Sequence, residues 1–249
     1  TMISRGMLET VNRLSKESLE AGGDGKVDLV GFSLGGLVIR QYFADTVGDT
    51  DTVEDDYAHN VDKALLIATP NKGSLIMTLD KAVNAFPVLG PLVEDAVVWT
   101  VEERLQLENI EQPLHGHSWA SLQVTPESDL LKSLDNVALL PADVAYYTMG
   151  ANMKARRGGV LYGFDAWTDY AELGDLVVEK ESFEYLPREA TQNIIYDDTM
   201  VIKWELAEMD NMWTIRVEVP SVETLKMSHK DLIKQPKVRE DIVSFLEND

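Results

Sequence analysis

The stretch Val27-Asp28-Leu29-Val30-Gly31-Phe32-Ser33-Leu34-Gly35-Gly36-Leu37-Val38-Ile39-Arg40 constrains this chain more than any other. Val27 to Gly31 is a short, mostly apolar run suited to a buried parallel strand. Leu37, Val38, Tyr42 and Phe43 recur at helical spacing. Between strand and helix, Gly31-Phe32-Ser33-Leu34-Gly35 matches G-x-S-x-G. Such a corner holds its serine in a strained turn with the hydroxyl exposed above the sheet. The flanking glycines are read as a steric requirement, because strand and helix approach too closely for larger side chains.

The surrounding pattern extends this unit. Ile3, Met7, Val11 and Leu14 mark one apolar helix face, which Gly22-Gly23 ends and Asp24-Gly25 turns toward the strand. The sequence starts at Thr1 and enters that helix almost at once, so a further segment upstream is expected. Val61 to Ala68 is a second buried strand, closed by the turn formers Thr69-Pro70-Asn71-Lys72-Gly73-Ser74. Two strands separated by a helix indicate a βαβ unit and a parallel sheet. The acidic stretch Asp49 to Asp56 is read as a solvated loop. As a calcium loop it lacks the turn glycine, and Val53 stands where a third oxygen is wanted.

Residues 75–140 break the rhythm. Helical patterns punctuated by Pro87, Pro91, Pro113 and Pro126 replace strands, and Ile76, Met77, Phe86, Leu89 and Trp99 make the segment apolar. An inserted helical cap, or lid, is expected there, within a core formed by 1–74 and 141–249. Val144 to Met149 resumes the strand pattern, and the Gly- and Arg-rich 150–163 reads as a loop. Met200 to Leu206 and Met212 to Val219 alternate as strands about a hairpin at Met209-Asp210-Asn211. A last helix starts at Pro236, with Val238, Ile242, Phe245 and Leu246 on its apolar face. The expected fold is α/β, a mostly parallel sheet flanked by helices.

Composition narrows the classes of function. The 249 residues, 45% of them hydrophobic, suit one sizeable domain with an insertion. A net charge of -21 repels polyanions and argues against a nucleic-acid partner. No apolar run reaches the roughly 18 residues of a transmembrane segment. The absence of cysteine excludes disulfides and thiolate metal sites.

A neutral serine hydroxyl is a weak nucleophile and needs a base, which in turn needs an orienting carboxylate. Histidine suits the base because its pKa lies near neutrality. Four are available: His59, His115, His117 and His229. His59 precedes a strand, at the sheet's other end. His115 and His117 form H-x-H in the expected cap, with no third metal ligand evident, so no metal is assigned. A serine on such a corner is commonly followed by Asp or Glu and then by His, and His229 fits that order. For the acid, Asp175 in Gly174-Asp175-Leu176-Val177-Val178 is favoured, with Asp165 and Asp169 in reserve.

Taken together, these residues resemble the α/β-hydrolase fold, and within it the bacterial triacylglycerol lipases and esterases. Thr69 to Ser74 is similar to the T-P-x-x-G-S turn leading into the lid, and Trp119 to Leu134 to the return from it. Gly174 to Val178 resembles the G-D-x-x-V acid turn, and Ser228-His229-Lys230-Asp231-Leu232 the terminal histidine segment. The resemblance implies a serine hydrolase of lipid-like or other apolar esters, with Ser33 as nucleophile, His229 as base and Asp175 as orienting acid. It implies the Leu34 N–H as an oxyanion donor, Phe32, Leu75 and Ile76 against the substrate, and no cofactor. Against the family pattern, the early strands and the H-G loop with the second oxyanion donor do not precede Ser33 in this sequence, so that donor is either lost or expected in an upstream segment. It also has Phe32 where such lipases often carry histidine. Thioesterase, phospholipase or acyltransferase chemistry on the same fold, and a non-catalytic binding module, are the competing expectations.

Overall fold

The computed structural model describes residues 2–47, 56–74, 124–161, 164–172, 174–175, 177–190, 192–209, 212–218 and 227–247. The chain opens on α1 (Met2–Glu20), β1 (Val27–Phe32), α2 (Leu34–Val47) and β2 (Val61–Ile67). After the short α3 (Asp129–Leu134) come β3 (Ala145–Leu161), β4 (Phe164–Glu172), α4 (Lys180–Phe183), β5 (Gln192–Met209) and β6 (Met212–Glu218). The single-turn α5 (His229–Leu232) and α6 (Pro236–Glu247) end the described chain. Six strands form one sheet in the order β1-β2-β3-β5-β6. β1, β2, β3 and β5 run parallel, and β6 lies antiparallel to β5. β4 pairs antiparallel with β3 beyond the stretch that β2 occupies. The fold is α/β, a mostly parallel sheet flanked by helices.

The alternation of β2 explains why helices cover both faces. Successive strand residues point to opposite sides. Ala64 and Leu66 join Leu8 and Val11 of α1 and Ile39, Tyr42 and Phe43 of α2 in one cluster. Leu65 and Ile67 join Met149, Leu232, Val238 and Phe245 in another, under α5 and α6. Each fully buried large side chain contributes roughly 1.5–3 kcal/mol. The unbroken apolar run Ala64 to Ile67 is therefore what a sheet covered on both faces requires. α6 is further held by Tyr196, whose hydroxyl donates to Asp241 Oδ2 at 2.6 Å.

Several expectations are corrected. Residues 150–161 continue β3 rather than forming a loop. Gly150 sits in the strand because the Phe183 ring lies on it: an added Cβ would meet that ring at 2.7 Å. Glycine inside a strand marks such a close approach, and pairing with both β4 and β5 supplies the order that its propensity does not. β5 starts at Gln192, well before Met200, through the half-buried Ile194 and Tyr196. On α1, Leu8 rather than Leu14 faces the core, with 5% and 39% exposure. On α6, Leu246 faces solvent while Val238 and Phe245 are buried.

The acidic stretch 49–55 and most of the expected cap, 75–123, lie outside the described residues. Of the remainder, Val124, Leu131 and Leu134 pack on Leu37 of α2. Ser128 caps α3 by accepting from the Leu131 N–H at 3.3 Å.

The two glycines after Ser33 differ in kind. A Cβ at Gly36 would lie 2.0 Å from Thr69 Oγ1, whereas one at Gly35 would meet nothing within 4 Å. The steric requirement after the serine therefore belongs to Gly36, not to Gly35. Gly36→Ala should cost about 1–3 kcal/mol by overpacking, read as a fall of several degrees in the thermal midpoint. Gly35→Ala should leave that midpoint unchanged or slightly raised, as helix propensity dictates.

Candidate active site

The site is assembled from three turns. The first joins β1 to α2. Ser33 has φ 54°, a left-handed conformation that costs a non-glycine residue about 1–3 kcal/mol and is held only where the surroundings enforce it. Enforcement comes from both sides. The Ser33 N–H donates to the Ile67 carbonyl at 2.7 Å, prolonging the β1–β2 ladder, and the Gly36 N–H donates to the Ser33 carbonyl at 3.1 Å. A side chain at Gly31 would run into the Gly36 nitrogen at 2.6 Å, so the corner closes only over glycine. Leu34 is the first residue of α2, where N–H groups have no preceding helical carbonyl to bond.

The second turn carries Asp175, which is fully buried. Gly174 adopts φ 58°, and a Cβ there would fall 1.9 Å from the Val178 carbonyl oxygen. Its carbonyl accepts from the Met153 N–H of β3 at 2.6 Å. Asp175 Oδ1 accepts from the Val177 and Val178 N–H groups at 3.0 and 2.7 Å. A buried carboxylate is tolerable because its lone pairs are met in this way.

The third turn brings His229, 6% exposed. Its N–H donates to the Asp175 carbonyl at 2.9 Å. Its ring nitrogens bridge the other two turns: Nδ1 lies 2.6 Å from Asp175 Oδ2 and Nε2 lies 2.8 Å from Ser33 Oγ. A carboxylate only accepts, so Nδ1 carries hydrogen toward Asp175 and Nε2 is left to accept from the Ser33 hydroxyl. Phe32 covers the imidazole, with ring centroids 4.9 Å apart.

A polar scaffold that the sequence reading missed stands behind these turns. Arg40 of α2 is buried at 1% exposure. Its Nη1 donates to Asn71 Oδ1 at 2.9 Å and its Nη2 to the Leu134 carbonyl at 2.7 Å. Burial lowers the guanidinium pKa to about 10, with Asp135 acting against the shift. The group stays charged at neutral pH. Asp135 also accepts from the Tyr185 hydroxyl, and Lys72 Nζ lies 3.9 Å over the Tyr185 ring. Asn71 and Ser74 had a signal in the Thr69–Ser74 motif. Arg40 had none, since a helical arginine reads as a surface residue.

The other candidates are dispersed. His59 lies at the opposite end of the sheet, exposed, with Nδ1 2.9 Å from Asp143 Oδ2. Asp165 and Asp169 belong to β4 rather than a loop. Leu75, Ile76, His115 and His117 lie outside the described residues. Among the described residues, no group of three or more His, Asp or Glu could hold a metal ion, and no helix is long and apolar enough to cross a membrane.

No family model matches the chain, and no curated protein matches it. Solved structures do. EstA from Clostridium botulinum is similar at 14% identity and a TM-score of 0.46, over 91% of this chain and 65% of that one. Phospholipase PlaB from Legionella pneumophila in complex with thio-NAD is similar at 10% identity and a TM-score of 0.40, over 99% and 46%. The chain thus spans less than two thirds of the length of either. Its functional reading rests on its own geometry.

Arg40→Met keeps an unbranched apolar stem but removes the guanidinium and strands the Asn71 and Leu134 acceptors. At about 1–3 kcal/mol for each of the two buried groups left unpaired, the unfolding free energy should fall by roughly 2–6 kcal/mol, measured by urea denaturation.

Proposed function

We propose that this chain is a serine hydrolase of carboxylic esters, acting through an acyl-enzyme. The observation that carries the proposal is the continuous row of hydrogen bonds from Asp175 through His229 to Ser33, ending on a serine with φ 54°. In this reading His229 Nε2 takes the Ser33 proton as Oγ attacks the ester carbonyl carbon. The carbonyl oxygen becomes an oxyanion facing the Leu34 N–H, and the positive end of the α2 dipole favours the charge. His229 then gives its proton to the departing alkoxide, leaving the acyl group on Ser33. Water, losing a proton to His229, attacks the acyl carbon, and His229 returns that proton to Ser33 Oγ as the bond to the acyl group breaks and the acid leaves. Asp175 holds the imidazole in the tautomer this requires and offsets its charge once protonated. None of these steps draws on a cofactor or metal.

The substrate class proposed is an ester with an apolar acyl group. Support comes from Phe32 on the imidazole and from Leu34, 45% exposed beside Ser33. Lipase action on lipid-like esters is the narrower form of the proposal.

Ser33→Ala should lower turnover of p-nitrophenyl esters by about 10⁴-fold or more. A fluorophosphonate probe should label the wild-type chain and not the variant. A chain-length series then separates lipase from short-chain esterase. Equal turnover by Ser33→Ala would overturn the proposal, and a wild-type chain that neither turns over nor labels would favour a binding module.

A further inference from the structure

Two turns about a hundred residues apart are joined edge to edge. Ser74 Oγ donates to the Val177 carbonyl at 2.6 Å. Ser182 Oγ accepts from the Lys72 N–H at 3.0 Å and donates to the Gly73 carbonyl at 2.6 Å. Asn71 Nδ2 donates to the Phe183 carbonyl at 3.2 Å, while Arg40 holds the oxygen of the same amide. Ser182 and Asn71 fasten one backbone to the other. The Ser74 bond differs in where it ends.

The Val177 carbonyl and the Val178 N–H belong to one peptide unit. A peptide unit is planar and trans, so its C=O and N–H point in opposite directions and cannot turn independently. The Val178 N–H makes the shorter of the two backbone bonds to Asp175 Oδ1, at 2.7 Å. Fixing the carbonyl from one side therefore aims the N–H from the other. A donor on the carbonyl also polarises the unit and strengthens its N–H as a donor. Ser74, at 4% exposure, is shielded from the water that would otherwise compete for that carbonyl.

We propose that Ser74 is a positioning residue for Asp175. Its hydroxyl sets the 177–178 peptide, that peptide sets the carboxylate, and the carboxylate sets His229. Among the described residues, the Ser74 hydroxyl bonds the Val177 carbonyl and its N–H the Val124 carbonyl. The inference rests on the Ser33–His229–Asp175 reading for its catalytic consequence, but its structural consequence can be measured without turnover.

The test uses the full chain with Ser74→Ala, Ser74→Thr and Ser182→Ala. Two quantities are read: kcat and KM on a soluble nitrophenyl ester, and the downfield proton resonance of the His229 Nδ1–H bonded to Asp175. Ser74→Ala should lower kcat roughly tenfold, as expected for one hydrogen bond of about 1–1.5 kcal/mol, with KM unchanged. The His229 resonance should shift and exchange faster with water. Ser74→Thr, which restores the hydroxyl, should recover both. Ser182→Ala should lower the thermal midpoint while leaving kcat and the resonance unchanged.

Wild-type kcat and resonance in Ser74→Ala would overturn the proposal. So would Ser182→Ala reproducing the effects of Ser74→Ala, since the joint would then be only structural. If Ser74→Ala does not fold, Ser74→Cys, a weaker donor of similar size, is judged by the same two readings. If the wild-type chain hydrolyses no ester, the resonance alone still decides the role of Ser74.

Discussion

The buried carboxylate of Asp175 is the group around which the rest of the site has to be arranged. Removing a carboxylate from water is costly unless its oxygens are met by donors, and here the donors come from two separate parts of the chain. Two are backbone N–H groups made available by the left-handed Gly174 turn. The third is an imidazole from a segment 54 residues further along. Meeting the charge thus fixes the distance between the acid turn and the C-terminal segment, and the second nitrogen of the same ring then reaches the β1–α2 corner. Solvation of a single side chain and alignment of three turns are one requirement.

That requirement is affordable because the sheet is rigid where the turns leave it. β1 and β2 are locked in register up to Phe32 and Ile67, and the ladder continues into the Ser33 N–H. The strain at Ser33 is held by these bonds and by the contact of Gly31 with Gly36. Arg40 serves a similar end behind the site. A buried guanidinium can satisfy acceptors on two segments at once, which an apolar side chain of the same volume cannot do.

The sequence was legible where the physics is local. A short apolar run, a glycine corner and a helical period are properties of adjacent residues, so β1, α2, β2 and α6 could be read directly. The order of Ser33, Asp175 and His229 was readable because each sits at a turn with its own residue signature. What could not be read depends on neighbours distant in the chain. Gly150 resembles a loop residue until Phe183 is seen to occupy the place of its side chain. Gly35 looked as constrained as Gly36, and the difference rests on Thr69, which packs against only one of them. Arg40 reads as solvent-exposed because nothing nearby in sequence announces Asn71 or Leu134 as its acceptors.

The manner in which α6 is seated bears on how the three turns would lose their alignment. Leu232, three residues beyond His229, is buried in the same cluster as Val238 and Phe245. Beyond that single apolar face the helix turns outward, with Val243 half exposed. The imidazole is therefore carried by a helical segment packed on the sheet, while Ser33 stands at the end of β1. Local opening follows the boundaries of such units rather than the whole chain. A partial detachment of this C-terminal segment would separate the His229 imidazole from the Ser33 hydroxyl without breaking the β1–β2 pairing, so the hydrogen bond between them depends on the seating of one terminal helix as well as on the sheet.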